Sequence, residues 1–372
     1  MHFVLFYHSL ISDWNHGNAH FLRGVCTELL ESGHTARVFE SANGWSLRNL
    51  VAEQGDAPIA AFAAHYPGLS SEFYDPLTLD LDSALDGADV VLVHEWNDPA
   101  FVARVGRHRR CAPYRLLFHD THHRAVSAPE ELAKYDLSEY DGVLAFGETL
   151  RALYEERGWC RGAWTWHEAA DTRIFRPQGS LQALLDVVWI GNWGDGERAR
   201  ELTEFLIEPV GTLGLTARVH GVRYPPEALS ALRAAGIQYG GWIANFQVPA
   251  AFGSARCTVH VPRRFYRESL PGIPTIRMFE ALACGIALVS APWEDSERLF
   301  RADRDYLVAK DGRQMREHLR LLTADPGLAR SLAEAGLRTI LERHTCAHRV
   351  RELLSICGQL GRAGRAQSPA AA

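Results

Sequence analysis

Residues 263–290 read RRFYRESLPGIPTIRMFEALACGIALVS, and this stretch decides the fold. Pro271, Gly272 and Pro274 forbid regular structure. From Thr275 onward Ile276, Phe279, Leu282 and Ala283 fall at helical spacing, and Gly285 supplies a stop. The spacing predicts a helix of about ten residues, followed directly by the strand IALVSAP. A helix start leaves backbone N–H groups unbonded and carries the positive end of the dipole, so it is a ready site for a phosphate. Gly272, Ile273, Pro274 and Thr275 would line that site, with Arg277 in the first turn. Glu280, one turn later, could accept hydrogen bonds from the hydroxyl pair of a sugar. Loop, helix start and parallel strand in this order make half of a nucleotide-binding α/β unit. The same pattern also fits an ordinary core helix with a solvated Arg and Glu.

Upstream, residues 184–206, LLDVVWIGNWGDGERARELTEFL, give an apolar strand, a glycine-bearing loop and a helix expected from about Glu197. Gly191, Asn192 and Gly194 let the backbone approach a diphosphate closely, and Arg198 in the first turn can add a charge-assisted contact. ARVHGVRYP, GIQYGGWI and ARCTVHVPRRF read as further strands; Trp242 either covers a nucleotide base or packs in a core. Arg263, Arg264, Tyr266 and Arg267 form a basic loop, suited to a phosphate or an acidic acceptor, or simply solvated.

The N-terminal half repeats the pattern. Phe3–Tyr7 is a strand, and a polar loop containing His16 leads to a helix whose buried face is Phe21, Leu22, Val25, Leu29 and Leu30. The strand ARVFE follows. Gly17 and Asn18 stand at the helix start, where they could meet a diphosphate or an acceptor, or act as a plain cap. Residues 55–85 read as outer helix and loop. ADVVLVHEW and YRLLFHDTHH are strands that end in polar bursts, His94 and Glu95 in one, His119, Asp120, His122 and His123 in the other. Chemistry in open α/β sheets collects at such strand ends. His119 could contact a sugar, join a metal site with its neighbours, or be structural. Asp80 and Asp82 make a D-x-D triplet that could hold a metal only with support the sequence does not supply. His167 and Glu168 close another strand and face either the cleft or a linker.

R-M-F-E-A-L-A-C-G with its following strand, and G-N-x-H-F-x-R-G near the N-terminus, resemble GT-B glycosyltransferases, especially CgeB-like proteins and the family-four type. The resemblance implies an α/β GT-B fold of two Rossmann-like domains facing each other across a cleft. An acceptor-side domain would span residues 1–176 and a nucleotide-sugar donor domain residues 177–358, with the last helix able to return to the first domain. A disordered tail would cover 359–372. In that family Glu280 would hold the ribose, the helix start the diphosphate and Arg198 a phosphate, while His119 would approach the donor sugar with Asp120 orienting it or the acceptor. The larger family carries a second Glu eight positions before the first; position 272 is Gly here, and the nearest candidate is Glu268. His16, Glu95, His167, Arg263 and Glu268 are the candidate sugar or acceptor contacts. The implied reaction is transfer of a sugar from a nucleotide-diphosphate-sugar, with retention and without a metal or other cofactor. An epimerase on the same fold, or a catalytically silent sugar- or nucleotide-binding protein, are the competing readings.

Length and composition agree with such a chain. At 372 residues it can bury two cores. A net charge of −6 gives no reason to expect nucleic acid. Seven scattered cysteines without a C-x-x-C pair suit reduced thiols. No apolar run reaches the roughly 18–20 residues of a membrane span, and MHFVLFYHSL lacks a basic leader, so a soluble cytoplasmic protein is expected.

Overall fold

The computed structural model describes residues 1–179, 184–194 and 196–366, with side chains to residue 360. The chain clusters into two compact units. The first comprises Met1–Ser12, Leu22–Glu168 and the final helix, and the second Asp13–Phe21 and Ala169–Thr345.

Seven parallel strands build the first unit: β1 (His2–Tyr7), β2 (Thr35–Ser41), β3 (Glu72–Tyr74), β4 (Val90–His94), β5 (Arg115–Asp120), β6 (Gly142–Ala145) and β7 (Ala163–Thr165). Their order is β3-β2-β1-β4-β5-β6-β7. Six parallel strands build the second: β8 (Leu185–Ile190), β9 (Ala217–His220), β10 (Ile237–Tyr239), β11 (Ala255–His260), β12 (Ala287–Ser290) and β13 (Leu307–Val308), in the order β10-β9-β8-β11-β12-β13. Parallel strands need helical crossovers that cover both faces, which is why β4 is buried at every residue and reads as one apolar run. In both sheets the order reverses, at β1/β4 and at β8/β11. Ligands of doubly wound sheets bind beyond the strand ends at that reversal.

Several local expectations change. Residues 55–85 include an edge strand, β3, whose three residues are too few to show a period. Asp80 is the N-cap of a short helix, accepting from the N–H of Asp82, and Asp82 pairs with His108 at 2.9 Å, so the D-x-D carboxylates serve local structure. The basic loop is a helix, Arg264–Glu268. Residues 169–176 cluster with the second unit. The last helix, Cys346–Ala366, joins the first unit, where Trp166 Nε1 donates to the Arg349 carbonyl at 2.8 Å. Residues 359–366, expected to be disordered, are therefore helical, and 367–372 lie outside the described residues. Among the described residues no helix is long and apolar enough to cross a membrane.

Candidate functional site

At the β8/β11 reversal the second unit places a buried guanidinium. The loop after β8 begins at Gly191, and Gly194 has φ +88°, a conformation open to glycine. A Cβ on Gly194 would stand 2.9 Å from Arg198 Cγ, so the glycine also makes room for that side chain. Arg198 does not lie inside a helix as expected; it is the N-cap, at φ −150°, of the helix Ala199–Leu202. Its Nε donates to the Asn192 carbonyl at 3.2 Å and its Nη1 to the Val261 carbonyl at 3.1 Å, one on the loop after β8 and one just past β11. The guanidinium also lies 5.2 Å over the Trp189 ring. Only 9% of the residue is exposed. Burial, then the nearby charges of Arg263 and Arg277, pulls its pKa down to about 9. Arg263 has Glu197 at 2.5 Å and Arg277 has Glu280, but among the described residues no carboxylate pairs with Arg198. Among the described residues the hydrogen bonds of this buried charge go to carbonyls, which compensate it less than an anion would.

The helix predicted from the opening stretch is Ile276–Ala283, with Thr275 as N-cap and every residue buried except Arg277. Gly272, at φ +86°, turns the chain into it; a Cβ there would stand 2.6 Å from Ser296 Oγ. Ile273, fully buried, accepts from Trp293 Nε1 at 3.1 Å, and Pro274 precedes the cap. Glu280 has no exposed surface. One oxygen meets Arg277, and Oε1 is 3.1 Å from His20 Nδ1. The other ring nitrogen, His20 Nε2, accepts the Asp171 N–H at 2.8 Å, so the hydrogen of the neutral ring sits on Nδ1 and is donated to Glu280. The ring stacks on Phe175 with centroids 3.8 Å apart.

His20 belongs to Asp13–Phe21, the segment that clusters with the second unit. Asn15 bonds Asn192 across it, and Asp13 accepts from Trp242 Nε1 at 3.1 Å and from the Asn245 N–H at 2.9 Å. A Cβ on Gly17 would stand 3.2 Å from both Arg277 Nη2 and Ile276 Cγ2, so this glycine lets the segment lie against the helix start. Both polar atoms of the Asn18 side-chain amide are buried, without a hydrogen-bond partner among the described residues. His16, on the same segment, is buried. The structure thus brings Gly17, Asn192, Gly194, Arg198, Arg277 and Glu280 into one unit. Trp242 stands there as the partner of Asp13.

Of the other candidates, Glu268 pairs with Arg267 at 3.0 Å and lines a charged cavity of about 360 Å³ with Arg200, Glu201, Glu204, Arg264 and Arg267. The remainder stand in the first unit. The β4/β5 register sets His94 beside His119, whose ring lies 5.2 Å from His94 and 4.8 Å from Trp166. Burial lowers His119 to about 3, so it is uncharged at neutral pH. Asp120 accepts from the Tyr154 hydroxyl at 2.7 Å and the His122 N–H at 2.9 Å; burial raises it to about 6. Glu95 is fully buried against Arg124, which lies 4.6 Å over the Trp96 ring. His167 Nδ1 donates to the Phe146 carbonyl at 3.0 Å. Among the described residues no group of three or more His, Cys, Asp or Glu side chains is placed to hold a metal ion.

Sequence reasoning missed Asp13, Asn15, His20 and His260. For His20 a signal existed, since it is the His of the G-N-x-H pattern. His260 ends β11 at the reversal, yet a lone His after an apolar run does not announce itself.

Residues 198–355 match a family described as glycosyl transferase-like. No curated protein sequence matches the chain. Among solved structures, a glycosyltransferase from Rickettsia africae ESF-5 aligns with TM-score 0.67 at 10% identity over 96% of this chain and 98% of its own. Sucrose-phosphate synthase from Thermosynechococcus elongatus aligns with TM-score 0.66 at 14% identity over 99% and 100%. HepE from Anabaena, solved in complex with UDP, gives 0.65 at 13% over 96% and 100%. The chain has the GT-B fold of these proteins. The family match and the similar structures agree on one class of enzyme, the glycosyltransferases, with hexosyl-transferring members among them.

Proposed function

We propose that the protein transfers a sugar, a hexose in the first instance, from a nucleotide-diphosphate-sugar to an acceptor. The observation that carries this reading is Arg198: a guanidinium 9% exposed, at the strand reversal, beside two further arginines and without a carboxylate of its own among the described residues. The start of the Ile276–Ala283 helix adds unbonded N–H groups to the same unit. Together they suit a diphosphate. The glycosyl transferase-like match, and the UDP complexes of HepE and of a similar alpha-glucosyltransferase, support this choice and make UDP-sugars the first donors to try.

In this reading Arg198 and the helix N–H groups stabilise charge as the nucleoside diphosphate departs, a role that needs no divalent ion. Glu280 meets the ribose after Arg277 swings from its carboxylate toward the phosphates. His119, uncharged, offers a hydrogen bond to the sugar, and Asp120 holds the strand end beside it. The likeness to CgeB-like and family-four enzymes favours retention, the leaving phosphate taking the acceptor's proton. A cytoplasmic location is part of the same proposal.

The test is a thermal-shift panel of UDP, GDP, dTDP, CDP and ADP with their sugars, repeated in EDTA. We expect one nucleotide to raise the melting temperature equally with and without EDTA. No shift with any of them would overturn the donor-site assignment, and a shift abolished by EDTA would overturn metal independence. Product NMR then decides retention against inversion.

A further inference from the structure

Beneath the start of the Ile276–Ala283 helix lies a chain of side chains whose three contacts are all hydrogen bonds in one arrangement of the hydrogens. His260 ends β11 and is 2% exposed. Its Nδ1 is 2.9 Å from Ser290 Oγ and its Nε2 is 3.1 Å from Thr275 Oγ1. Ser290 Oγ in turn lies 2.7 Å from the Ala291 carbonyl. A carbonyl can only accept, so the single hydroxyl hydrogen of Ser290 points at Ala291. Ser290 therefore accepts from His260, which fixes the ring hydrogen on Nδ1. A neutral ring then has a lone pair on Nε2, and Thr275 must donate its hydroxyl hydrogen there. Burial and the Arg198 charge hold His260 at about 3, so the ring is neutral at ordinary pH.

Thr275 is the N-cap of the helix but makes no capping bond through its side chain. Its only hydrogen is turned toward His260, leaving oxygen lone pairs for whatever sits at the helix start. A phosphate there wants a donor, and the hydroxyl as set repels it. If the threonine simply turned away, a buried Nε2 would lose its partner. If the ring instead takes a proton, Nε2–H donates to Thr275 Oγ1 and the threonine hydrogen is released to the phosphate. We propose that binding of the donor diphosphate is coupled to uptake of one proton by His260, which turns the Thr275 hydroxyl from the ring to the phosphate. His260 is thereby a positioning residue for Thr275. This rests on the donor-site assignment above.

The balance is simple. One N–H bond forms at Nε2, the proton comes from solvent or buffer acid, and no covalent bond within protein or ligand breaks. The charged group among the described residues that faces the ring is Arg198. Ser290 from β12, Thr275 from the helix cap and the edge of Trp293, at 6.4 Å, are its neutral neighbours. The diphosphate opposes the Arg198 charge, which removes the main electrostatic objection to a charged ring.

The experiment is titration calorimetry with UDP-glucose at pH 6, in buffers that differ in ionisation enthalpy. A pyrophosphate diester has no group titrating near neutrality, so any proton counted belongs to the protein. We expect net uptake approaching one proton per ligand, and an affinity that strengthens toward tenfold for each pH unit of acidification. Thr275→Val, which keeps the shape of the cap, should bind with no proton uptake, as should His260→Asn. Wild-type binding without uptake, or uptake unchanged in both variants, overturns the coupling and leaves the donor site standing. Failure of UDP-glucose and of every nucleoside diphosphate to bind overturns the donor site, and the coupling with it.

Discussion

Replacing Arg198 with methionine separates a ligand-binding charge from a structural strut. The side chain keeps its apolar stem over Trp189 and loses the guanidinium. Holding that group at about 9 instead of its ordinary value penalises the charged form by about 5 kcal/mol, at about 1.4 kcal/mol per pH unit. The substitution lifts the penalty but strands two carbonyls, Asn192 and Val261, at roughly 1–3 kcal/mol each. The opposing terms nearly cancel, so stability should stay within about 3 kcal/mol of wild type. Binding has no such compensation. Two charge-assisted bonds to phosphate, at about 1.5–3 kcal/mol each, amount to at least about 3 kcal/mol, or about a hundredfold in Kd. Denaturant unfolding gives the first quantity, and calorimetry with UDP-glucose the second. A variant that binds within threefold of wild type, or that loses more than about 4 kcal/mol of stability with binding intact, refutes the assignment and makes Arg198 a strut.

Gly194→Ala should place a methyl 2.9 Å from Arg198 Cγ at φ +88°, costing about 1–3 kcal/mol in strain and weakening UDP-glucose about tenfold. Gly33→Ala, with φ +79° and nothing within 4 Å, is the control that bears the strain alone and leaves calorimetric affinity unchanged. His20→Ala leaves Glu280 Oε1 and the Asp171 N–H without their partner, and urea unfolding should record a loss of about 2–5 kcal/mol. For Asp120 the folded pKa is raised, to about 6, so the folded protein binds the extra proton and stability falls as pH rises from about 4 to about 6. Asp120→Asn should flatten that part of a stability–pH curve, and an unaltered curve would remove Asp120 as its source.

How much of the site was legible varies residue by residue. Arg277 and Glu280 stood out because a helix writes its period into the chain, and the Pro–Gly turn before it marks the start. The glycines after β8 were readable for a similar reason: a loop that must approach a ligand or a side chain closely tolerates little else. Asp80 and Asp82 mislead, since an N-cap and a metal triplet use the same residue type. His20 was visible as a letter in a pattern, but its partners were not.

The sequence by itself determined two Rossmann-like sheets, the helix Ile276–Ala283 and the glycine loop before Arg198, because apolar period, breakers and caps act between neighbours in the chain. Only the tertiary structure decided that Glu280 meets His20, 260 positions away, that Asp13–Phe21 clusters with the second unit, and that His260 meets the hydroxyl of Thr275. It also decided that Arg198 is buried against the Asn192 and Val261 carbonyls. Those facts depend on which strand ends the crossovers bring side by side. Burial and hydrogen-bond partnership are properties of that neighbourhood, and no local spacing encodes them.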